Sequence, residues 1–466
     1  MSKYSELSDR IWEYAETGFE EVKSCADMVA FLRNEGFEVE ENVVGMPTAY
    51  IATCGHGKPV IGLLGEYDAL SGLNQYADVC ERKPITSGED NGHGCGHHLL
   101  GVGSIKAAVL LKKYLEENNL EGTIKLYGCP AEETGSGKVY LARDGAVNGL
   151  DIALSWHPGN VNQVSSGSSQ SCIAVFYKFH GISSHASATP HLGRSALDAC
   201  ELMNVGVNYL REHMESTERV HYAYTNVGGK APNVVQSEGT LKYFIRSTTN
   251  PKCVKLLERV NNIARGAALM TDTTLEIVFD EGLSNTITNE VIEKVMADSF
   301  RKCYNIEYTP EELEYARSFQ KTLRPEELAD ENWDTHTIDK ARFTDNLRNR
   351  PINDYFVEKT HSDEVMMGST DVGDISWVVP TGQINTACYA LGTGGHSWQM
   401  VAQGKSSIAH KGMELAGDIM FDAARTFLHH PELIEAAWAE FREKLNGETY
   451  KCLIPDDVKP HISGAE

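Results

Sequence analysis

The segment His93-Gly94-Cys95-Gly96-His97-His98 places four side chains able to ligate a metal within six residues, with glycines that let the backbone turn tightly between them. Cysteine as thiolate and histidine as neutral imidazole suit a borderline-soft divalent ion. By itself the segment also reads as a glycine-rich turn with incidental histidines. A second signal is the pair Glu132-Glu133 in Pro130-Ala131-Glu132-Glu133-Thr134-Gly135. Adjacent carboxylates at the end of a strand would point in different directions, so one can bind metal while the other handles protons. A bare Glu-Glu pair is otherwise a solvated loop. Two further histidines stand in loops, in Trp156-His157-Pro158 and in Gly394-Gly395-His396-Ser397-Trp398. Together these places offer Cys, His, Glu, His and His, a set that can hold two metal ions once a bridging water completes the shells.

Elements that bring these places together are visible in the apolar spacing. Residues 5–35 carry apolar positions at helical spacing, and Val60-Ile61-Gly62-Leu63-Leu64 suits a strand buried on both faces. A long helix is predicted over 99–115, with strands over 123–127 and 152–156. The Glu pair and His157 then each follow a strand, and His396 follows the apolar run 386–391. This alternation implies an α/β chain with a mostly parallel sheet flanked by helices. Near Ser171 the pattern changes. Ile173, Val175, Tyr177 and Phe179 alternate with smaller or polar residues, and the order that follows over 171–282 is βαββαβ, that of a ferredoxin-like unit. The sequence therefore divides into a catalytic domain in two parts, 1–170 and 283–466, interrupted by an inserted lid or dimerisation domain, 171–282. Residues 308–354 are polar and charged. They open on a capped helix start at Thr309-Pro310-Glu311-Glu312 and read as an irregular excursion beyond it.

Length and composition agree with a multidomain globular protein. The chain has 466 residues, 41% hydrophobic and 23% charged, and 42 basic against 66 acidic side chains leave a formal charge of -24. That excess disfavours nucleic acid and anionic membranes as partners, without excluding an acidic small substrate. No stretch approaches the ~20 apolar residues of a membrane span, and no signal peptide is evident. Eleven scattered cysteines read as reduced thiols of a cytoplasmic protein.

The motifs together resemble the dinuclear amidohydrolases of the aminoacylase and zinc-carboxypeptidase group. The resemblance runs from Trp12-Glu13 to Cys452-Leu453-Ile454-Pro455. It is carried most specifically by Gly92-His93-Gly94-Cys95-Gly96-His97, Tyr127-Gly128-Cys129-Pro130, Pro190-His191-Leu192-Gly193-Arg194-Ser195, Ser369-Thr370-Asp371-Val372-Gly373-Asp374 and Ile408-Ala409-His410-Lys411-Gly412-Met413. It implies that Cys95, His97, Glu133, His157 and His396 bind two divalent ions, Mn2+ or Zn2+, and that Glu132 is the general base. It further implies that His185 steadies the oxyanion, in some relatives across a dimer interface, and that Asn233 and Arg246 hold the substrate, its carboxylate in particular. The implied reaction is hydrolysis of an N-acyl or N-aroyl amino acid, with p-aminobenzoyl-glutamate the leading substrate. A dipeptidase or general N-acyl-amino-acid hydrolase is the alternative enzyme, and a non-catalytic partner subunit is the alternative of another class. A homodimer is expected, or pairing with a related second subunit. Two departures from the family pattern fall near the metals: His98 stands where many relatives have Asp, and Gly65-Glu66-Tyr67-Asp68 replaces the commoner Arg-Ala-Asp-x-Asp.

Overall fold

The computed structural model describes residues 2–328 and 336–460. Strands among them are numbered along the chain: β1 (Glu38–Glu41), β2 (Tyr50–His56), β3 (Val60–Glu66), β4 (Leu70–Ser71), β5 (Asn91–Gly92), β6 (Gly122–Cys129), β7 (Ile152–Gly159), β8 (Gln163–Ser165), β9 (Ser168–Ser169), β10 (Ser171–His180), β11 (Arg219–Asn226), β12 (Glu238–Ser247), β13 (Thr274–Leu283), β14 (Val365–Met366) and β15 (Thr381–Ala387).

The larger sheet has the order β1-β2-β6-β3-β7-β15-β8. Its four inner strands β6, β3, β7 and β15 run parallel, while β1, β2 and β8 are antiparallel at the two edges. Side chains alternate across a strand, so a sheet covered on both faces needs apolar residues at odd and even positions alike. This is why β3, β6 and β7 are near-continuous apolar runs. Ile61, Leu63, Ile124, Leu126, Ile152 and Leu154 pack on one face with Leu99, Ile105, Met296 and Ile419, contributed by helices His97–Asn118, Glu290–Cys303 and Ser407–His429. Leu64, Tyr127, Cys129 and Ala153 face the other way, against Val139, Leu141, Val372 and Ile375.

A second, wholly antiparallel sheet has the order β11-β12-β10-β13. Along the chain it reads β10, helix Ala196–Leu210, β11, β12, helix Asn250–Thr271, β13, the βαββαβ order of a ferredoxin-like unit. Both helices pack on one face, where Cys200, Met203, Val207, Leu256, Val260 and Ala264 meet Ile173, Val175, Tyr177, Leu241 and Tyr243.

Two elements differ from the sequence reading. The helical spacing over residues 5–35 belongs to two helices, Lys3–Tyr14 and Val22–Asn34. The backbone turns left-handed at Ala15 and again at Phe19, which no helix accommodates. The region 308–354 is more regular than expected. Helix Pro310–Gln320 has the anticipated capping box from Thr309 and Glu312. A further helix, Lys340–Asn349, starts on the Asp339 side chain and buries Phe343 and Leu347, one turn apart, against Val161, Val357 and Leu391. Two apolar residues in a charged segment are too few to register as a periodic face, yet they suffice to dock a short helix. Residues 329–335 of that region lie outside the described residues. All eleven cysteines are free thiols. No helix among the described residues is long and apolar enough to cross a membrane.

Candidate metal centre

The chemistry-bearing residues converge where the parallel strands end. Glu66 is the last residue of β3, with Asp68 two positions on, and Glu132 and Glu133 follow β6. Crevices beyond the carboxyl ends of parallel strands are where open α/β sheets build their sites. His157 lies inside β7 rather than after it, because β7 continues to pair with β15 through Gly159, with Asn385 opposite His157. Cys95 and His97 sit where the ribbon β4–β5 delivers the chain into helix His97–Asn118. Gly96 takes φ +80° there, and a Cβ would strike the Tyr389 hydroxyl and Pro158, so glycine is required. Far downstream, the His396 amide donates to the Gly94 carbonyl at 2.8 Å, joining the fourth segment to the first.

Donor atoms of Cys95, His97 and His157 lie within 4.8 Å of one another, as do those of Cys95, Glu133 and His396 and those of Glu66, His97 and Glu132. Hydrogen bonds set the histidine orientations. His97 Nδ1 donates to Asp68 Oδ1 at 2.7 Å, and His157 Nδ1 donates to the Pro158 carbonyl at 2.9 Å, so each ring turns its Nε2 toward the other donors. Asp68 Oδ2 also accepts the Glu133 amide at 2.9 Å, so one buried carboxylate positions a residue from each of two segments. Cys95 Sγ is 3.4 Å from His157 Nε2. His396 Nε2 stands 3.2 Å from Glu133 Oε1, and His97 Nε2 3.2 Å from Glu66 Oε2. These separations look like ion pairs, but Glu133 Oε1, Glu66 Oε2 and His97 Nε2 are all buried without a hydrogen-bond partner. Buried polar atoms are nearly always paired, and orphans that face one another around a thiol and two imidazoles are what a cation site presents. The residues therefore fit a pair of divalent ions.

The electrostatics are those of crowded acids. Burial, with Glu66 and Asp371 nearby, drives the Glu132 carboxyl well above the ordinary carboxylate range, against the pull of Lys138 and His97. Burial works to raise Glu133 too, but the neighbouring His396 and His97 imidazoles prevail and hold it at about 2. Burial pushes the Cys95 thiol up to about 12, although His97 favours the thiolate. The adjoining acids thus differ sharply, a separation suited to one proton carrier and one permanent anion.

The five residues expected to bind metal lie in these clusters, with Glu132 beside them. His93 and His98 do not. Their Nε2 atoms donate to the Ile11 and Gly404 carbonyls at 3.1 and 3.0 Å, and the two rings pack 4.7 Å apart behind the site. The departure at His98 is thereby turned away from the donors. His185 and Asn233 are exposed and adjoin each other in the βαββαβ unit, where Ala186 N donates to the Asn233 carbonyl and His185 Nδ1 accepts from the Ser187 and Ala188 amides. Neither lines the cavity at the donors. Arg246 does not line it either, but its Nη1 donates at 2.8 Å to Ser369 Oγ, and Ser369 does. Four residues that no motif singled out for a role are Glu66, Asp68, Lys138 and Asp371. Lys138 is fully buried between Glu66 and Asp371. The sequence signals for Glu66 and Asp68 were acids at the end of an apolar strand and the departure of Gly65-Glu66-Tyr67-Asp68 from the family pattern, neither of which gave them a role.

The donors open into a cavity of about 360 Å³ lined by hydroxyl and amide side chains, among them Ser165, Thr286, Ser369, Thr370, Gln383 and Asn385. A separate cavity of about 420 Å³ against helix Glu290–Cys303 shares Glu293 with it but has none of the metal donors, so the chemistry belongs to the first.

Comparison with known proteins agrees with this architecture. Residues 62–399 match the model for peptidase family M20/M25/M40. The chain is 40% identical to a p-aminobenzoyl-glutamate hydrolase subunit of Escherichia coli, over 98% of this chain and 96% of that protein. It is 30% identical to Xaa-Arg dipeptidase of Mus musculus, over 64% of this chain and 67% of that protein. Among solved structures, a dinuclear metal-binding peptidase from Bacillus subtilis superposes with a TM-score of 0.55 at 15% identity, covering 91% of this chain and 98% of that one.

Proposed function

The chain belongs to peptidase family M20/M25/M40, and from that premise we propose that it is a dinuclear metal-dependent hydrolase of p-aminobenzoyl-glutamate. The observation that carries the reading is the set of orphaned buried donors facing one another at the strand ends. Cys95, His97 and His157 would hold one ion and Cys95, Glu133 and His396 the other, with Mn2+ and Zn2+ both compatible with the donor set. When bound, the ions supply Lewis acidity toward water and the scissile carbonyl.

The chain's own residues do the rest. Glu132, as the carboxylate, takes a proton from the attacking water, and the surroundings that raise its carboxyl let it hold that proton until it passes to the leaving nitrogen. Water oxygen thus joins the carbonyl carbon, the C–N bond breaks, and amine and carboxylate leave. Asp68 keeps the His97 Nε2 lone pair and the Glu133 segment aimed at the ions. Hydroxyl and amide groups of the cavity wall hydrogen-bond the substrate, and Arg246, held against Ser369 of that wall, attracts its carboxylate. His185 and Asn233 would join the site only by closure of the βαββαβ unit, 171–282, on residues 1–170 and 283–466, or from a second copy of the chain. Reduced cysteines suit a cytoplasmic setting.

The relative of 40% identity bears the name of a subunit, so dependence on a related second chain is part of the test. Purified chain, stripped of metal and resupplied with Mn2+ or Zn2+, should release p-aminobenzoate and glutamate unaided. Activity only on addition of a related chain would make it one half of an enzyme. Turnover of dipeptides or other acyl amino acids in preference to p-aminobenzoyl-glutamate would overturn the substrate.

A further inference from the structure

The ligand set above makes no use of Glu66, yet this residue is held with unusual care. Its side chain is 2% exposed, and Oε1 receives Lys138 Nζ at 2.7 Å. Lys138 is in turn fixed by Asp371, which accepts from both the lysine ammonium and its backbone amide. Buried Lys138 neutralises one of the two carboxylates and clamps the Glu66 side chain in one rotamer. Oε2 then points the other way. It lies 3.2 Å from His97 Nε2, and neither atom has a hydrogen-bond partner.

His97 Nδ1 donates to Asp68, so Nε2 is the ring nitrogen that faces Glu66. In the metal-free chain Cys95, Asp68 and Glu66 overcome burial and hold the His97 imidazole well above its ordinary value, and a divalent ion between Nε2 and Oε2 would take the place of that proton. Two donors bound side by side to one ion at ~2.1 Å would be separated by about this distance. Glu66, His97 and Glu132 also form one of the clusters whose donor atoms share a 4.8 Å neighbourhood.

We propose that Glu66 is a sixth metal-binding residue, its Oε2 ligating the ion held by His97 while Lys138 anchors Oε1. This rests on the metal-centre reading above and adds to it a preference. An extra carboxylate raises the coordination number and the oxygen content of that position, which favours Mn2+ over Zn2+ there. Glu132 remains the proton carrier.

The test is metal content and geometry, read without turnover. Wild-type chain dialysed against Mn2+ should hold two ions, and in crystals of that form Glu66 Oε2 should lie within ~2.6 Å of one of them. Glu66→Gln should weaken one of the two ions at least tenfold, leave the other unchanged, and shrink the preference for Mn2+ over Zn2+. Two bound ions with Glu66 more than ~3.5 Å from both, or unchanged affinities in the variant, would overturn the assignment while leaving the metal centre intact. Wild-type chain that binds no metal would overturn both. The measurement on the wild type decides the matter even if the variant does not fold.

Discussion

Replacing Asp68 with asparagine should disarm the metal centre without touching a metal donor. Asp68 is fully buried and accepts two hydrogen bonds, from His97 Nδ1 at 2.7 Å and from the Glu133 amide at 2.9 Å. Asparagine keeps the shape but offers one acceptor and one donor group. If its oxygen serves Glu133, its amide faces His97 Nδ1, which must then accept, and the His97 proton moves to Nε2. The nitrogen that faces the ion has lost its lone pair. If the oxygen serves His97 instead, the amide opposes the Glu133 N–H, at a cost of about 1–3 kcal/mol for the buried mismatch. Either arrangement should lower metal affinity about 10–100-fold, the usual effect of losing a carboxylate behind a metal-bound histidine, which corresponds to roughly 1.4–2.8 kcal/mol.

The assay is chelator competition for Mn2+ and Zn2+ on wild type and Asp68→Asn, with amide hydrolysis measured over a range of free metal. The metal dependence of activity should move to higher concentration by the same factor as the affinity. Affinities within twofold of wild type, in a variant with unaltered thermal unfolding, would show that Asp68 does not orient His97 and would refute the reasoning.

Glu132→Ala should keep both ions and lose about 10²–10⁴-fold in turnover, so near-wild-type activity would remove Glu132 from proton transfer. Arg246→Ala should raise KM about tenfold for amides of acidic amino acids, the effect of one lost charged contact, and leave kcat within twofold. An unchanged KM would place the substrate carboxylate elsewhere. Burial raises the Glu281 carboxyl from 4.5 to about 7, with Lys242 only partly opposing it. Because the folded value is the higher one, its contribution is fully present below pH 4.5 and is lost as pH rises toward 7, by up to about 3 kcal/mol. Urea unfolding of metal-free chain at pH 5 and pH 8 should therefore show a smaller loss in Glu281→Gln than in wild type, and equal losses would dismiss the linkage.

Much of this site was legible from residue types because its donors are chemically distinctive. Cysteine and histidine after glycines, and paired glutamates after an apolar strand, stand out wherever a strand ends. The strands themselves were legible because burial on both faces leaves runs such as Val60-Ile61-Gly62-Leu63-Leu64. Hidden were the residues whose roles depend on distant partners. Lys138 reads as an ordinary cation near a helix start until Asp371, over two hundred residues away, is seen to hold it. His93 and His98 looked like ligands by type, and only packing against Ile11 and Gly404 turns them aside. The break between the first two helices was masked for a similar reason, since helical spacing resumes across the left-handed turns at Ala15 and Phe19.

The charge balance of the pit ties folding, protons and metal together. Glu66, Asp68, Glu132 and Glu133 crowd around His97, and Lys138 is buried between Glu66 and Asp371. So many like charges cannot all ionise at low dielectric, and the cost falls on the groups with the weakest support. In the metal-free chain these are Glu132, driven well upward by burial and its acidic neighbours, and Cys95, pushed to about 12, whereas Glu133 stays ionised. Divalent ions reverse that balance, because ligation requires the thiolate and the added positive charge favours every carboxylate. Metal uptake near neutral pH should accordingly release at least one proton per chain, and affinity should rise with pH. Calorimetric titration with Mn2+ in buffers of different ionisation enthalpy reads that number directly. Binding with no proton release would mean that Cys95 stays a thiol with metal present, and the cysteine would have to be struck from the donors.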